Sequence, residues 1–342
     1  MKKIIISFFF LVLLLQVWAG RYAGDFIAIG SGVRPIGMGG AFAAIADESS
    51  AIHWNPAGIA QLRDPQVMLT RAFLYEGLAS YDNITYCQPL PNDVTIGFGW
   101  TRLTIDNIPV FNEEHLVGTV DQRAAFPWLN LTAIPDDKFT STDDLFQFAF
   151  AKHLHKDIDI GWLFFEIPVD MYFGSSMKYI KRTLYKNVGD GTGFDFSLLG
   201  RTNLGMLVDV DWLGDIAVGV NFQNVGNTSI TWDVASEHTD DILQNTKLGV
   251  MVEQPIPAIK STLILSSDFE YVYNGTDRFG CEFDYQGKVQ ARCGYVNNQY
   301  FDDNGDEVSA GLSVRIYRVL VDYAFVTNTL GNTNRVGLRV SF

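Results

Sequence analysis

Ser31–Ala60 reads SGVRPIGMGGAFAAIADESSAIHWNPAGIA and differs from everything downstream. It is rich in glycine and alanine, carries few charges and lacks period-two alternation. Met38, Phe42, Ile45 and Ala46 recur at helical spacing, which predicts a short apolar helix. Ser49 or Ser50 is placed to cap a second short helix over Ala51–Trp54. The Asn55-Pro56 pair then stops it, because the residue before a proline is pushed out of the helical region. Nearly all of the remaining chain reads as alternating strands. A small helical segment followed only by strands points to a barrel closed around its own N-terminus.

About fourteen segments have the ~10-residue length that a tilted membrane strand needs. They run from Val67–Leu74 to Arg335–Phe342. In one, Val94, Ile96, Phe98 and Trp100 share a face, and Thr95, Gly97, Gly99 and Thr101 share the other. Ile216, Val218, Val220 and Phe222 oppose Ala217, Gly219, Asn221 and Gln223 in the same way. So do Val336, Leu338, Val340 and Phe342 against Arg335, Gly337, Arg339 and Ser341. Such alternation suits a barrel with an apolar outer face and a polar lumen. A soluble sandwich also alternates, with its apolar face inward. The leader described below, an aromatic content of 13% and the loop lengths favour the membrane. The fold class expected is all-β: a transmembrane antiparallel barrel of about 14 strands with a small helical plug in its lumen.

Lys2 and Lys3 precede an unbroken apolar run from Ile4 to Leu15. Val17 and Ala19 are small enough for the two key positions before a cut, which places cleavage after Ala19. The run is too short for a membrane anchor. The chain thus divides into a leader at 1–19, a plug at 20–64 and a barrel at 65–342. Localisation in a bacterial outer membrane with periplasmic termini follows. Alternate connections should then be short, and the two longest, Thr104–Asp144 and Val225–Asn245, should be extracellular. The apolar stretch His155–Asp170 (HKDIDIGWLFFEIPVD) reads as an extra strand pair or an interfacial turn.

The formal charge of −14 becomes more negative once the leader's lysines are removed, which argues against a nucleic-acid partner. Three cysteines do not make a disulfide framework. Cys281 and Cys293 face each other across an expected hairpin, so a cross-strand disulfide and two free thiols are both open readings. In that hairpin Glu282 is expected opposite Arg292 on the lumen face. In the next, Arg315 is expected opposite Asp322, with Arg339 of the final strand on Asp322's other side. Opposite charges directly across a strand pair attract, and the bland reading is that they brace the wall.

Other chemistry is present only faintly. His153 and His155, followed by Asp157 and Asp159, read as solvated turn residues rather than metal ligands. His53 beside Trp54 reads as a structural histidine. Gly189-Asp190-Gly191-Thr192-Gly193 lacks the Lys-Ser/Thr of a phosphate loop and reads as an extracellular turn. Asp302–Glu307 lacks a full calcium loop and reads as an acidic surface turn. No nucleophile, base and oxyanion set can be assembled, so neither an enzyme nor a cofactor or metal is expected.

The block from Gly37 to Gly58 resembles the N-terminal segment of PorV/PorQ proteins, within the wider FadL-like outer-membrane barrels. Met177–Ile180, Asn221–Gly226 and the strand ending at Phe342 resemble them more loosely. The resemblance implies two functions. PorV-like barrels are associated with type IX secretion, where they receive exported proteins and hand them to a surface-processing peptidase; the long acidic loops would be the contact surface. FadL-like barrels take up hydrophobic small molecules through a plugged lumen. Here Asn55, Pro56, Ala57 and Gly58 would form the gating turn, beside an apolar path past Met38, Phe42 and Trp54. A fixed stopper is the competing reading of the same residues. The aromatic Phe342 end resembles the signal that barrel-assembly machinery reads. The remaining partner expected is outer-membrane lipid.

Overall fold

The computed structural model describes residues 24–112, 116–126, 129, 135–159, 166–234, 238–271, 275–298 and 306–342. The leader and most of Asp302–Glu307 lie outside these residues. The first strands are β1 (Gln66–Leu74), β2 (Ala79–Leu90), β3 (Val94–Val110), β4 (Asp137–Asp159), β5 (Glu166–Leu184) and β6 (Asn187–Asn203). Next come β7 (Asp215–Val225), two short strands β8 (Ser229–Trp232) and β9 (His238–Asp241), and β10 (Asn245–Ile256). The last are β11 (Ser261–Glu270), β12 (Thr276–Tyr285), β13 (Val289–Asn298), β14 (Glu307–Ile316), β15 (Val319–Val326) and β16 (Thr333–Ser341). All neighbours pair antiparallel, and β1 closes on β16 from Gln66↔Ser341 to Phe73↔Asn334. Strands β8 and β9 form an appended hairpin that pairs with β6, so fourteen of the sixteen strands make the closed barrel. Closure leaves no open edge for lipid to meet.

Each of the expected segments lies on a barrel strand, but several strands run further. The described part of the stretch after His153 forms no extra strand pair: it lengthens β4 and β5, which pair from Leu154↔Met171 to Asp159↔Glu166, while residues 160–165, where the interfacial turn was expected, lie outside the described residues. The glycine-rich run Gly189–Gly193 is not a turn either. It lies inside β6, where a Cβ on Gly191 would overlap the carbonyl of Ser229 on β8. The turn is Tyr185-Lys186, with Tyr185 in a left-handed conformation. The longest connections are 111–136 and 226–244, both at the end of the barrel opposite Phe342.

The polarity of the two faces is inverted relative to a soluble fold. Phe98, Phe148, Phe196, Val218 and Leu338 stand exposed on the outside. Thr101, Gln147, Ser197, Asn221 and Arg335 are buried inside. An apolar belt outside and a polar lumen inside are what a lipid-spanning barrel requires. On the outer face one register row carries Arg71, Asp82, Arg102, Asp144, Lys181 and Asp190 on β1 to β6, each directly opposite the next. Arg102 holds Asp144 with two bonds of 2.7 and 2.9 Å, and Trp100 Nε1 donates to the same carboxylate at 3.0 Å. This alternating row crosses the outer face of β1 to β6 toward the end away from Phe342, each charge opposite one of the other sign. Beyond it, β3 and β4 run on to Val110 and Asp137.

Candidate functional site: the plugged lumen

The N-terminal segment threads the lumen from one end to the other. Helix α1 (Asp25–Ala28) packs Phe26 and Ile27 against Leu145, Ile180, Ile230 and Ile242, near the end opposite Phe342. Helix α2 (Arg34–Gly37) follows. No helix spans Met38–Ala46, although the apolar spacing suggested one. Gly39 and Gly40 have φ of +65° and +77°, and Ala46 has φ of 37°, so the backbone turns repeatedly. The apolar periodicity there reflects burial on all sides. Helix α3 (Ala51–Trp54) forms as expected, but Ser50 Oγ donates to Glu48 at 2.6 Å instead of capping it. Asn55, in an extended conformation, ends α3 and starts a 3-10 turn over Pro56–Gln61. The chain then reaches β1 at the Phe342 end, where Phe342 N donates to Pro65 O at 3.0 Å.

Met38, Phe42, Trp54, Asn55, Pro56, Ala57 and Gly58 are all buried together. The first three join Ile45, Ile52 and Ile59 in a core that also takes Ala149, Leu199 and Met251 from the wall. Asn55 is a junction. Its Nδ2 donates to Ala43 O at 2.6 Å and to Leu198 O on β6 at 3.2 Å. The Ala57 amide donates to Ser197 Oγ at 2.8 Å and to Asn55 Oδ1 at 3.2 Å. A Cβ on Gly174 of β5 would overlap that amide, so this wall position requires glycine. On the far wall, a Cβ on Gly294 of β13 would overlap the amide of Gly39.

Wall side chains close the remaining plug groups. Asp268 of β11 accepts from the Phe42 and Ala43 amides at 2.8 and 2.7 Å. Asn221 of β7 donates to Trp54 O at 2.8 Å, and Arg335 of β16 donates to Gly30 O and Ile29 O at 2.9 and 2.8 Å. Trp54 Nε1 donates to Ser31 O at 2.8 Å. His53 stacks edge-on against Trp54 at 5.3 Å. Burial, with Lys247 and Lys178 nearby, holds its pKa well below the usual imidazole range, so the ring is neutral.

The charges around Arg34 form a buried network between plug and wall. Glu282 is opposite Arg292 and ion-paired to it, as the hairpin spacing indicated. Arg34, which sequence reading did not single out, bonds the same carboxylate at 2.7 and 2.8 Å and also pairs with Asp47. The next two pairings differ from expectation. The turn Tyr317-Arg318 has only two residues, so Arg315 faces Leu320 and Asp322 faces Ser313. Asp322's other neighbour is Gly337, not Arg339. Arg339 faces Leu320 and pairs with Glu48 of the plug. Asp322 bonds Ser313 and lies 3.5 Å from Arg292. Arg315 donates to Gly287 O at 2.8 Å. Below the network, at the Phe342 end, lies a polar cavity of about 280 Å³ bordered by Arg34, Asp47, Glu253, Glu282, Arg315 and Arg339.

The other candidates fall outside this site. His153 Nε2 and His155 Nδ1 both reach Asp170 Oδ1, at 2.8 and 2.9 Å. Among the described residues no three His, Cys, Asp or Glu side chains gather as metal ligands. Cys281 and Cys293 are direct partners in register on the outer face, and both thiols are free. A second buried pair, Lys178–Asp195 at 2.8 Å, ties β5 to β6 beside the bulge at Phe194/Phe196. Lys178 and Asp268 were missed because an isolated inward charge in a strand looks like any other polar lumen position. The signal for Arg34 was present: it is a lone cation in a segment with few charges.

The geometry defines a class: a closed fourteen-stranded antiparallel barrel with its N-terminal segment lodged in the lumen. Among solved structures, a deltaS2 mutant of the TodX monoaromatic hydrocarbon channel is similar at 11% identity, over 91% of this chain and 98% of that one, with a TM-score of 0.51. The Pseudomonas putida toluene transporter TodX is similar at 10% identity, over 91% and 96%, with a TM-score of 0.50. At these identities the likeness is one of fold. No family model matches the sequence, and no curated protein matches it.

Proposed function

We propose that the protein is an outer-membrane channel for hydrophobic small molecules, held shut by its plug. The observation that carries this reading is a barrel with an apolar N-terminal segment filling its lumen, in a fold similar to that of the TodX monoaromatic hydrocarbon channel. Two apolar clusters are stacked along the lumen, one around Phe26 and Ile230 and one around Phe42 and Trp54. They supply an apolar route once the Asn55–Gly58 turn shifts. In this reading the Phe342 end is periplasmic, Phe342 serves barrel assembly, and the connections 111–136 and 226–244 face outward. The test is uptake of a radiolabelled monoaromatic hydrocarbon by cells carrying the chain. Uptake above that of the empty outer membrane supports the channel. No uptake by correctly folded protein refutes it.

A second reading is the handling of exported proteins, as in PorV/PorQ barrels. It is favoured by the plug's bonds to opposite walls, through Ser197 on one side and Ser309 on the other, which suit a sealed barrel. A pull-down from native outer membranes distinguishes the two. Co-purified exported proteins or a surface peptidase support secretion; a barrel carrying only an apolar molecule supports uptake.

A further inference from the structure

The connection between β6 and β7, Leu204–Gly214, is an oddity at the Phe342 end. It contains a short helix, Leu204–Val208, whose Met206 and Val208 are 54% and 52% exposed, and a Trp212 that is 71% exposed. Its only charges are Asp209 and Asp211; it has no lysine or arginine. Gln254 of β10, on the same outer face as Leu248 and Val250, donates to Trp212 O at 2.8 Å and accepts from Gly214 N at 3.2 Å. These bonds lay the second half of the connection over the outer end of the wall. The apolar belt continues into it from Leu198 on β6, Val218 on β7 and Val250 on β10. Ile259, Ile316 and Tyr317 extend the same apolar rim along this end. On β1 to β6 the opposite end of the barrel instead carries the charged row from Arg71 to Asp190.

We propose that Leu204–Gly214 is a lipid-interface anchor that seats Met206, Leu207, Val208 and Trp212 in the headgroup–acyl boundary of the leaflet at the Phe342 end. The proposal rests on the membrane reading above. Its chemistry fits one occupant. An amphipathic turn with an indole and aliphatic side chains gains from burial at that depth, because an indole carries an apolar body and a polar N–H. Asp209 and Asp211 with no basic residue suit a zwitterionic phospholipid surface rather than an anionic one. The acids hold the segment at the surface and the apolar side chains dip below it.

The experiment uses the full chain carrying Cys281→Ala and Cys293→Ala, which leaves only buried Cys87. A polarity-sensitive fluorophore is placed by Met206→Cys, by Val208→Cys, or by Leu338→Cys in the belt. Each protein is reconstituted in phosphatidylcholine bilayers with lipids brominated at shallow or deep positions. The labels at 206 and 208 should be quenched most by shallow bromines and the label at 338 by deep ones. Adding phosphatidylglycerol should weaken the quenching at 206. If 338 is quenched by lipid while 206 and 208 respond only to aqueous iodide, the anchor is refuted and the membrane barrel stands. If 206 and 208 are shielded from lipid and iodide alike, a second copy covers the segment and the proposal falls. If 338 also escapes lipid quenching, the membrane reading itself fails.

Discussion

Gly174 and Gly294 stand where the plug backbone touches opposite walls, and their lack of a side chain is what permits the contact. Gly174→Ala should force Ala57 and Ser197 apart and destabilise the folded barrel by about 1–3 kcal/mol, the usual cost of overpacking. Loss of the heat-modifiable band on a semi-native gel would report it. Gly200, where an added Cβ meets nothing within 4 Å, should accept alanine without such loss. Pro56→Ala asks a different question, because Pro56 opens the 3-10 turn and has no N–H to donate. If the turn gates the channel, this variant changes hydrocarbon uptake and leaves assembly intact; failed assembly would identify the plug as a stopper. His53 gives a pH dependence. Its ring is held neutral in the fold, so its native pKa lies below the unfolded one. The stability this contributes is present above the ordinary imidazole range and is lost as pH falls through it. Thermal melts in detergent should therefore show a smaller acid-induced drop for His53→Gln than for the parent.

Between elements, the decisive bonds are the charged ones. Glu282→Gln removes the carboxylate shared by Arg34 and Arg292, leaving two buried guanidinium groups underpaired. A cost of about 3–5 kcal/mol is expected, as for breaking a buried pair from one side. Arg315→Gln, at an exposed strand end, should change stability by less than about 0.5 kcal/mol in the same melts. The contrast also shows where sequence reading worked. Alternation located the barrel strands because inside and outside differ in polarity at every step. It found Glu282 against Arg292 because the three-residue turn Gln286–Lys288 sets that register. It misplaced Arg315, Asp322 and Arg339 because opposite charges were paired against the register that the expected two-residue turn Tyr317-Arg318 sets, and opposite charges alone do not fix a register. In the plug, the periodicity of Met38, Phe42 and Ile45 suggested a helix where Gly39 and Gly40 turn the chain. A segment enclosed by a wall is apolar whatever its conformation, so its pattern carries no period to read. The bonds of Asp268, Arg335 and Lys178 depend on which strand faces which part of the plug, and no local pattern encodes that.

For the whole molecule, the lumen is filled from the cluster around Phe26 down to the Arg34 network, with a polar cavity below it. Removing residues 24–61 should convert the barrel into an open, water-conducting pore. Single-channel recording in planar bilayers would show large steps absent from the intact protein; silence from a folded, plug-less barrel would mean that other parts of the chain also seal it. The path of the plug adds a constraint on how any opening can occur. Asp25–Ala28 sits near one mouth, while the segment joins the wall at Gln66, beside the other. A cork leaves a bottle by the mouth it occupies, but this segment is strung along the bore like a cord fixed at its lower end. Pulling it free toward the Phe342 end would drag Phe26 and Ile27 through the full length of the barrel, past the Asp268 and Glu282 attachments. Passage therefore calls for slack to appear locally, over a few residues around Asn55, while the rest of the cord stays moored.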